Sequence, residues 1–423
     1  MKYYYLDNAA TTPLSKEALQ AMLPYLTEDY GNASTIYTLG QRAKRAVEES
    51  RRTIAETIGA HPSEIYFTSG GTESDNWALI GGAELGQGQL QRTSAAQAKG
   101  TSESSSSEAD GSSSSHPVGH IITDVIEHHA ILHTCEYLEK RGFDVTYLPV
   151  DAEGHVDPDA VMAALRPDTV LVSVMAANNE IGTLEPIAEI GKRLKEYENA
   201  HGQRILFHTD AVQAYGHIPL NVDALQVDLL STSSHKLNGP KGIGFLYIRR
   251  GVKLPSFLHG GEQERGRRAG TENVAGMVGF ARAAEIACAE MDARRARETT
   301  VRDHLIARLL AEIPFTTLNG DPVHRLPNNV NVCFKYIEGE TLLLLLNEKH
   351  IYASSGSACA SGSLDPSHVL TAIGVSHEDA YGSLRLTLSP ETTMQDVNEV
   401  VELLKPIVAY LREQSPLYKK LSL

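Results

Sequence analysis

Short apolar runs alternate with segments of helical periodicity up to about residue 262 of this 423-residue chain. The runs have the length of strands, and the segments between them, such as 186–200, place apolar residues at helical spacing. This alternation predicts an α/β domain with a mostly parallel sheet, because parallel strands need crossover connections that helices usually supply. The predicted strands are 64–68, 120–123, 145–148, 170–174, 205–208, 227–230 and 243–248.

The pattern changes beyond residue 262. A long helix-like stretch over 274–310 precedes two further strand candidates. This order is typical of a smaller α+β unit. We therefore predict a large domain over 13–262 and a small domain built from 1–12 and 263–423. The length of the chain agrees with a prior of roughly two to three domains.

The segment 86–119 is set apart by its composition. It is rich in Gly, Gln and Ser, and residues 101–115 include nine serines. Such a segment buries too little apolar surface to offset the entropy of ordering it. We therefore predict a disordered surface insertion in the large domain.

Charge and cysteine usage narrow the class of protein. The formal net charge is −15, which argues against a nucleic-acid or membrane-surface partner. The four cysteines show no Cys-x-x-Cys spacing, so neither a disulfide framework nor a zinc ribbon is indicated. The first residues lack an apolar signal segment, and no apolar run approaches membrane-spanning length. We expect a cytoplasmic protein without a resident metal.

The residues around Lys236 are of the types that a catalytic lysine would need. It ends the run Ser233-Ser234-His235-Lys236, follows a predicted buried strand and precedes a glycine-rich turn, 237–242. An enclosed lysine amine can lose its proton and form a Schiff base with an aldehyde, and nearby hydroxyls can bond a phosphate. The stretch therefore favours a site for a phosphorylated aldehyde. The competing interpretation is a solvated loop.

Cys359 lies within a run of small residues, 354–363, which contains no bulky side chain to anchor a core. Structural cysteines are usually buried among apolar side chains. This pattern therefore predicts a mobile loop, 354–366, that carries an accessible thiol. The alternative is a flexible loop with an inert cysteine.

Three further patterns follow predicted strands. The turn 68–76 contains glycines and opens a helix, so its N–H groups could hold an anion, although it lacks the ending of a P-loop. Asp210 ends a strand, where a carboxylate could pair with a protonated pyridine ring, and His128 supplies an imidazole near the same sheet edge. A plain turn and a helix cap are the alternatives. His129 and His133 are also spaced like helical metal ligands, but the carboxylate of such motifs is missing.

Together these residues resemble the class V aminotransferase family of pyridoxal-phosphate (PLP) enzymes, and within it the NifS/IscS-type cysteine desulfurases. The resemblance covers nearly the whole chain outside 86–119. It implies an aminotransferase-like large α/β domain with a mostly parallel sheet, and a smaller α+β domain. The matching motifs, besides those described above, are 5–13, 30–34, 178–182, 260–265 and 268–273.

The resemblance implies a role for each matching residue. Lys236 would hold the cofactor aldehyde and shuttle the substrate α-proton, and Cys359 would attack the substrate sulfur. Asp210 would pair with the ring nitrogen, while Asn179 and Arg385 would bind the substrate carboxylate. The remaining cofactor contacts would come from His128, a third catalytic residue, on the ring face, from Gln213 at the ring hydroxyl, from Gly71, Thr72, Ser233 and His235 at the phosphate, and from Thr271 of a second subunit.

The implied reaction converts L-cysteine to L-alanine and leaves the sulfur on Cys359 as a persulfide. A sulfur-acceptor protein, such as an iron–sulfur scaffold, would then take up that sulfur, and the active unit would be a homodimer. A selenocysteine lyase or related C–S lyase, and a non-catalytic partner-binding paralogue, are the alternatives. Retention of both Lys236 and Cys359 favours the desulfurase.

Overall fold

The computed structural model of the chain describes residues 2–100, 118–355 and 366–420, and only the backbone of 93–100. Its strands, in chain order, are β1 (Tyr4–Tyr5), β2 (Ile65–Thr68), β3 (His120–Asp124), β4 (Asp144–Leu148), β5 (Thr169–Ser173), β6 (Leu206–Asp210), β7 (Leu229–Ser233), β8 (Gly244–Ile248), β9 (Thr316–Leu318), β10 (Asn329–Phe334), β11 (Ile351–Tyr352) and β12 (Ser383–Thr387). Its α-helices are α1 (Lys16–Thr27), α2 (Thr38–Thr57), α3 (Gly71–Gly100), α4 (His129–Glu139), α5 (Pro158–Ala163), α6 (Ile187–His201), α7 (Val222–Leu225), α8 (Val274–Ala289), α9 (Met291–Glu312), α10 (Gly339–Glu348), α11 (His368–Ala372), α12 (His377–Ala380), α13 (Met394–Gln414) and α14 (Pro416–Lys419). No helix in these ranges is both long and apolar enough to cross a lipid bilayer.

The predicted strands of the large domain form one seven-stranded sheet. Its order is β2-β8-β7-β6-β5-β3-β4. Neighbours from β7 to β4 are parallel, whereas β8 is antiparallel to both β2 and β7. The mostly parallel α/β sheet predicted from the alternating pattern is therefore confirmed. Parallel strands end at a common edge, so the residues that follow them come together there.

Helices cover both faces of this sheet. Successive strand residues point to opposite faces, so Phe207 packs in the core beneath α1, α2 and α8, while Leu206 packs in the core beneath α3 and α4. In β8, Phe245 likewise packs in the same core as Phe207, and Leu246 packs in the same core as Leu206. Burial on both faces explains why these strands are continuous apolar runs in the sequence.

The second unit packs around the three-stranded sheet β12-β10-β9 and the helices α9, α10 and α13. The N-terminal strand β1 pairs with β11, and Leu6 is buried in this second core. The helix-like stretch 274–310 is two helices that meet at Glu290. Since α8 packs on α1 and α2, it belongs with the large sheet, so the packing changes near Glu290 and not at the predicted residue 262.

The prediction of disorder over 86–119 is wrong for its first part. Helix α3 continues to Gly100, and the partly buried Leu90 packs on the core beneath it. Gly86 lies so close to strand β5 that an added Cβ would be 2.3 Å from the Cβ of Val170. A helix that is already nucleated by packing can extend through residues of poor propensity. The serine-rich run 101–115, which was also predicted to be disordered, falls within 101–117, outside the described residues.

Replacement of 101–117 by a short Gly/Ser linker is expected to leave cofactor content, L-cysteine turnover and melting temperature unchanged. A longer deletion that begins at Gln87 removes the packing of Leu90 and should destabilise the fold by about 1 kcal/mol or more. Thermal unfolding followed by circular dichroism distinguishes the two variants. Loss of bound cofactor from the shorter deletion would contradict this expectation.

Candidate active site

One cavity of about 280 Å³ opens at the edge of the sheet where β6 and β7 end. It brings together most of the site residues predicted from the sequence, although these residues come from distant parts of the chain. Thr271 is exposed and lies outside this cavity, and Cys359 lies outside the described residues. The predicted residues that line the cavity are Gly71, Thr72, His128, Asn179, Asp210, Gln213, Ser233, His235, Lys236 and Arg385.

Lys236 ends a short 3-10 turn that follows β7. Its Nζ donates to the carbonyl oxygens of Ala9, at 2.6 Å, and Ala10, at 2.9 Å. Gln213 Nε2 donates to the same Ala9 carbonyl at 3.1 Å. The N-terminal segment therefore forms one wall of the cavity and orients the lysine amine along it.

His235 joins the lysine turn to the N-terminal segment. Its Nδ1 lies 3.1 Å from Thr11 Oγ1, and its carbonyl accepts from Thr12 N at 2.9 Å. Burial and the charges of Lys236 and Lys241 lower the pKa of His235 to about 4. The ring is therefore neutral at pH 7 and acts as a hydrogen-bonding group without adding positive charge.

The turn before α3 forms a second wall. Gly70 has a φ of +153°, in the region that favours glycine, and a Cβ on Gly71 would lie 2.7 Å from Val212 Cγ2. The close packing of Val212 therefore requires glycine at position 71, and the first N–H groups of α3, which have no partners within the helix, suit an anion at this wall. Arg268 fixes the turn from behind, because its Nε donates to Glu73 Oε1 at 2.8 Å.

Asp210 is buried at the end of β6. Its Oδ1 accepts from Val212 N at 2.8 Å, and burial raises its pKa to about 6, although that bond and Lys236 lower it. Asp75, which was not singled out in the sequence, is fully buried beside it, and burial and Asp210 raise the pKa of Asp75 well above its usual range. The raised pKa of Asp75 favours its neutral form, so Asp210 is the group of this pair that suits a positively charged partner. The signal for Asp75 was its position in the turn 68–76.

His128 is the N-cap of α4, and its Nδ1 accepts from Ala130 N at 3.1 Å. Burial and then the Lys236 charge lower its pKa to about 4. Since Nδ1 accepts a hydrogen bond, the proton of the neutral ring resides on Nε2. The structure thus provides a neutral planar ring beside the lysine.

Arg385 lies in β12 with only 3% of its surface exposed. Its Nη1 donates to the Asn179 carbonyl at 3.0 Å, and its Nη2 donates to Asp7 Oδ1 at 3.0 Å. Its buried Nε has no hydrogen-bond partner among the described residues. A guanidinium held in this way presents a fixed donor that suits a carboxylate ligand. Asp7, which holds it, was part of a matching motif but was given no role from the sequence.

The three described cysteines do not offer a reactive thiol. Cys135 and Cys333 are buried, whereas Cys288 is partly buried. Burial raises the pKa of each thiol, to about 11 for Cys333. Since the thiolate is the nucleophile, these residues are poorly suited to attack a substrate.

The histidines with helical metal-ligand spacing form a stack. The ring centroids of His129 and His133 are 5.0 Å apart, and His368 approaches His129 to 4.8 Å from α11. This histidine stack is not the cluster with metal-ligand spacing in the described ranges. That cluster is formed by Glu153, His155 and Asp321, whose possible ligand atoms all lie within 4.8 Å of one another. In that group, His155 Nε2 and Asp321 Oδ2 already share a hydrogen bond of 2.9 Å.

Comparisons with known sequences agree on one family. The model of the aminotransferase class-V family matches residues 4–96 and 97–400. A protein of Methanosarcina thermophila described as cysteine desulfurase IscS is 54% identical over 419 residues, which cover 99% of this chain and 95% of the relative. A protein of the same description from Dictyoglomus turgidum is 51% identical over 416 residues, 98% of this chain and 97% of the relative.

Solved structures give the same result. A NifS-like protein superposes with a TM-score of 0.83 at 36% identity, covering 97% of this chain and all of that structure. A structure described as SspA in complex with cysteine superposes with a TM-score of 0.73 at 34% identity, covering 93% of this chain and all of that structure. This chain belongs to the aminotransferase class-V family, whose members depend on PLP, and within that family to the NifS/IscS-type cysteine desulfurases.

Proposed function

We propose that this protein is a PLP-dependent cysteine desulfurase, which converts L-cysteine to L-alanine and passes the sulfur to Cys359 as a persulfide. One observation carries the proposal. Lys236, Asp210, the glycine turn before α3 and Arg385 line a single cavity, in a chain that is 54% identical to a protein described as cysteine desulfurase IscS.

The cavity fits PLP in three respects. The open helix N-terminus at Gly71 and Thr72, with Ser233 and His235 beside it, suits a phosphate. The buried carboxylate of Asp210 suits a protonated ring nitrogen. The positive charge of that nitrogen would lower the raised pKa of Asp210 toward its ordinary value. The amine of Lys236 suits the aldehyde.

His128 and Gln213 would complete this proposed contact set. The neutral ring of His128 suits the face of an aromatic ring, and Gln213 offers an amide to the ring hydroxyl. When bound, PLP supplies an electron sink that makes the substrate α-proton acidic.

The residues of this chain would perform the remaining steps. Arg385 and Asn179 would bind the substrate carboxylate, and the amine of Lys236 would move the α-proton. His128 holds its own proton on Nε2 beside the reacting groups. The Cys359 thiolate bonds to the substrate sulfur while the C–S bond breaks. The electron pair of that bond stays on the substrate carbon, which is protonated to give L-alanine.

A direct assay tests this function. The purified protein, supplied with PLP, should show visible absorbance from a lysine-bound cofactor and should release equal amounts of L-alanine and sulfide from L-cysteine with a reductant. D-Cysteine is the control. Turnover of L-selenocysteine alone would support a selenocysteine lyase, and cofactor binding without any turnover would support a non-catalytic paralogue.

The proposal includes a homodimer. Leu19, Leu23 and Leu26 of α1 are each 44–56% exposed, and Ile36, in the segment between α1 and α2, is 92% exposed. Apolar surface of this kind marks interaction sites. Thr271 is exposed outside the cavity of its own chain, as expected if it contacts the phosphate of a neighbouring subunit. Delivery of sulfur to an acceptor, expected to be an iron–sulfur scaffold protein, and a cytoplasmic location belong to the same proposal.

Subunit exchange between Lys236→Ala and Thr271→Ala proteins should restore activity. If Thr271 acts on the neighbouring subunit, each mixed dimer has one site with both lesions and one intact site. Random exchange should then return about a quarter of the wild-type rate, because half of the dimers are mixed and each has one intact site. If Thr271 acts within its own subunit, no mixed dimer has an intact site. The absence of any gain after verified exchange would contradict the shared site.

A further inference from the structure

A second cavity, of about 440 Å³, opens at the N-terminus of α3 beside the proposed cofactor cavity. The two cavities have several lining residues in common, so the second cavity adjoins the place where the cofactor phosphate would lie. The shared residues are Ala10, Gly71, Thr72, Ser233 and His235. Lys241 lines only the second cavity, and the proposed set of cofactor contacts gives it no role.

The proposed phosphate site has little positive charge of its own. A phosphate ester carries about 1.5 to 2 negative charges at pH 7. Gly71, Thr72 and Ser233 are uncharged, and His235 is neutral at pH 7 because its pKa is lowered to about 4. The N-terminus of α3 supplies only the partial charge of the helix dipole, about half a unit. A phosphate bound by these groups alone would therefore keep most of its negative charge uncompensated.

The other charged residues around the phosphate site already have partners or proposed roles. Glu73 lines the second cavity, but Arg268 neutralises it through hydrogen bonds of 2.8 and 3.1 Å. Lys236 is assigned to the cofactor aldehyde, and Arg385 is assigned to the substrate carboxylate. Lys241 is therefore the positively charged side chain without an assigned role among the described residues that line the two cavities.

Lys241 lies in the turn that precedes β8. The base of this turn is closed by a main-chain hydrogen bond of 3.1 Å from Gly239 N to the Ser234 carbonyl. Burial, Lys236 and Lys241 together lower the pKa of His235, so the charge of Lys241 acts on the ring that lines the phosphate site. Lys241 is exposed, and within the described part of the chain its ammonium group has no hydrogen-bond or ion-pair partner. The ammonium group is therefore available to an anion at this site.

We propose that Lys241 binds the cofactor phosphate from the side of the second cavity and supplies the positive charge that the rest of the phosphate site lacks. This inference rests on the proposed PLP-dependent function. A lysine suits this role, because its ammonium group is a compact charge on a flexible stem and binds phosphate as a point charge. Because the ammonium group is exposed to solvent, no buried charge is left unpaired before the phosphate binds.

The role of Lys241 is tested by comparing two ligands that differ only in the phosphate. PLP and pyridoxal share the aldehyde and the ring, but pyridoxal has no phosphate. The full-length protein is freed of cofactor, and the dissociation constant of each ligand is measured from the absorbance of its lysine-bound form. Lys241→Gln removes the charge, whereas Lys241→Arg keeps it. Lys253→Gln is the control, because Lys253 is also exposed in an irregular segment but lines neither cavity.

We expect Lys241→Gln to weaken PLP binding about five- to twentyfold, because a charge-assisted contact with the phosphate is lost. Its affinity for pyridoxal should change by less than about twofold, because pyridoxal lacks the group that Lys241 contacts. Lys241→Arg should stay within about threefold of the wild type for both ligands, since the positive charge remains. Added salt should weaken PLP binding more in the wild type than in Lys241→Gln, because salt screens the charge pair that the variant lacks. Lys253→Gln should match the wild type throughout.

Three results would overturn the inference. Wild-type affinity for PLP in Lys241→Gln would show that Lys241 does not bind the phosphate. Equal losses for PLP and pyridoxal would show that Lys241 maintains the shape of the cavity instead. An equal loss of PLP affinity in Lys241→Arg and Lys241→Gln would exclude charge as the cause. Failure of the proposed function is recognised separately, because the wild-type protein would then show no lysine-bound absorbance with PLP, or would bind PLP without turnover of L-cysteine.

Discussion

Replacement of Lys236 by alanine is expected to abolish turnover of L-cysteine, with a loss of about a thousandfold or more. The variant has no amine to hold the cofactor aldehyde or to move the α-proton, and general acid–base transfer alone contributes about 10²- to 10⁴-fold. The visible absorbance of the lysine-bound cofactor should disappear. The phosphate contacts at Gly71, Thr72 and Ser233 can still retain the cofactor, so its content should be measured after the protein is denatured.

Lys236→Arg is the matched variant, because it keeps a cation near the carbonyls of Ala9 and Ala10 but cannot form a Schiff base. It should be as inactive as Lys236→Ala. Both variants should unfold near the wild-type temperature. This result would show that activity is lost because the amine is missing and not because the fold is destabilised. Full activity in either variant would remove the proposed mechanism.

Replacement of Cys359 by serine should stop sulfide release while leaving the cofactor spectrum intact. A serine hydroxyl is not ionised at neutral pH and is a far weaker nucleophile toward sulfur than a thiolate. We expect sulfide formation to fall by at least about 100-fold. The spectral change on addition of L-cysteine should persist, because Arg385 and Lys236 remain. Mass spectrometry of the protein after one turnover measures the persulfide directly.

Cys288→Ser is the control for this experiment. Cys288 is only partly buried, yet burial raises the pKa of its thiol, so we expect the variant to match the wild-type rate. Normal sulfide production by Cys359→Ser would mean that another thiol accepts the sulfur. Cys135 and Cys333 would then have to become exposed during turnover, because both are buried in the cores of the fold.

Local sequence patterns predicted the elements of the large domain well. Each predicted strand of the seven-stranded sheet is present, because strands buried on both faces are continuous apolar runs. The turn before α3 was recognised because glycines and a helix start occur together at 69–72. The extension of α3 to Gly100 was missed, since its composition is polar and its stability depends on contacts such as that of Leu90 with the core.

Two features of the site depend on contacts between distant parts of the chain. Asp75 looked like an ordinary acidic residue near the start of a helix, and only burial beside Asp210 gives it a raised pKa. Lys241 and the helix start at Gly71 line one cavity but come from distant parts of the chain, and no local pattern links them. Desolvation and pairing depend on everything packed around a group, so they cannot be read from its neighbours in sequence.

The sequence by itself determined the alternation of strands and helices, the chemical groups available for catalysis and the resemblance to PLP enzymes, because these depend on residue types and on periodicities of a few positions. Only the tertiary structure decided that α8 packs on the large sheet, that Ala9 and Ala10 hold the Lys236 amine, and that Arg385 meets Asn179 beside Asp7. The physical reason is that strand order and domain packing bring residues from opposite ends of the chain to one sheet edge, where burial then sets their protonation and reach.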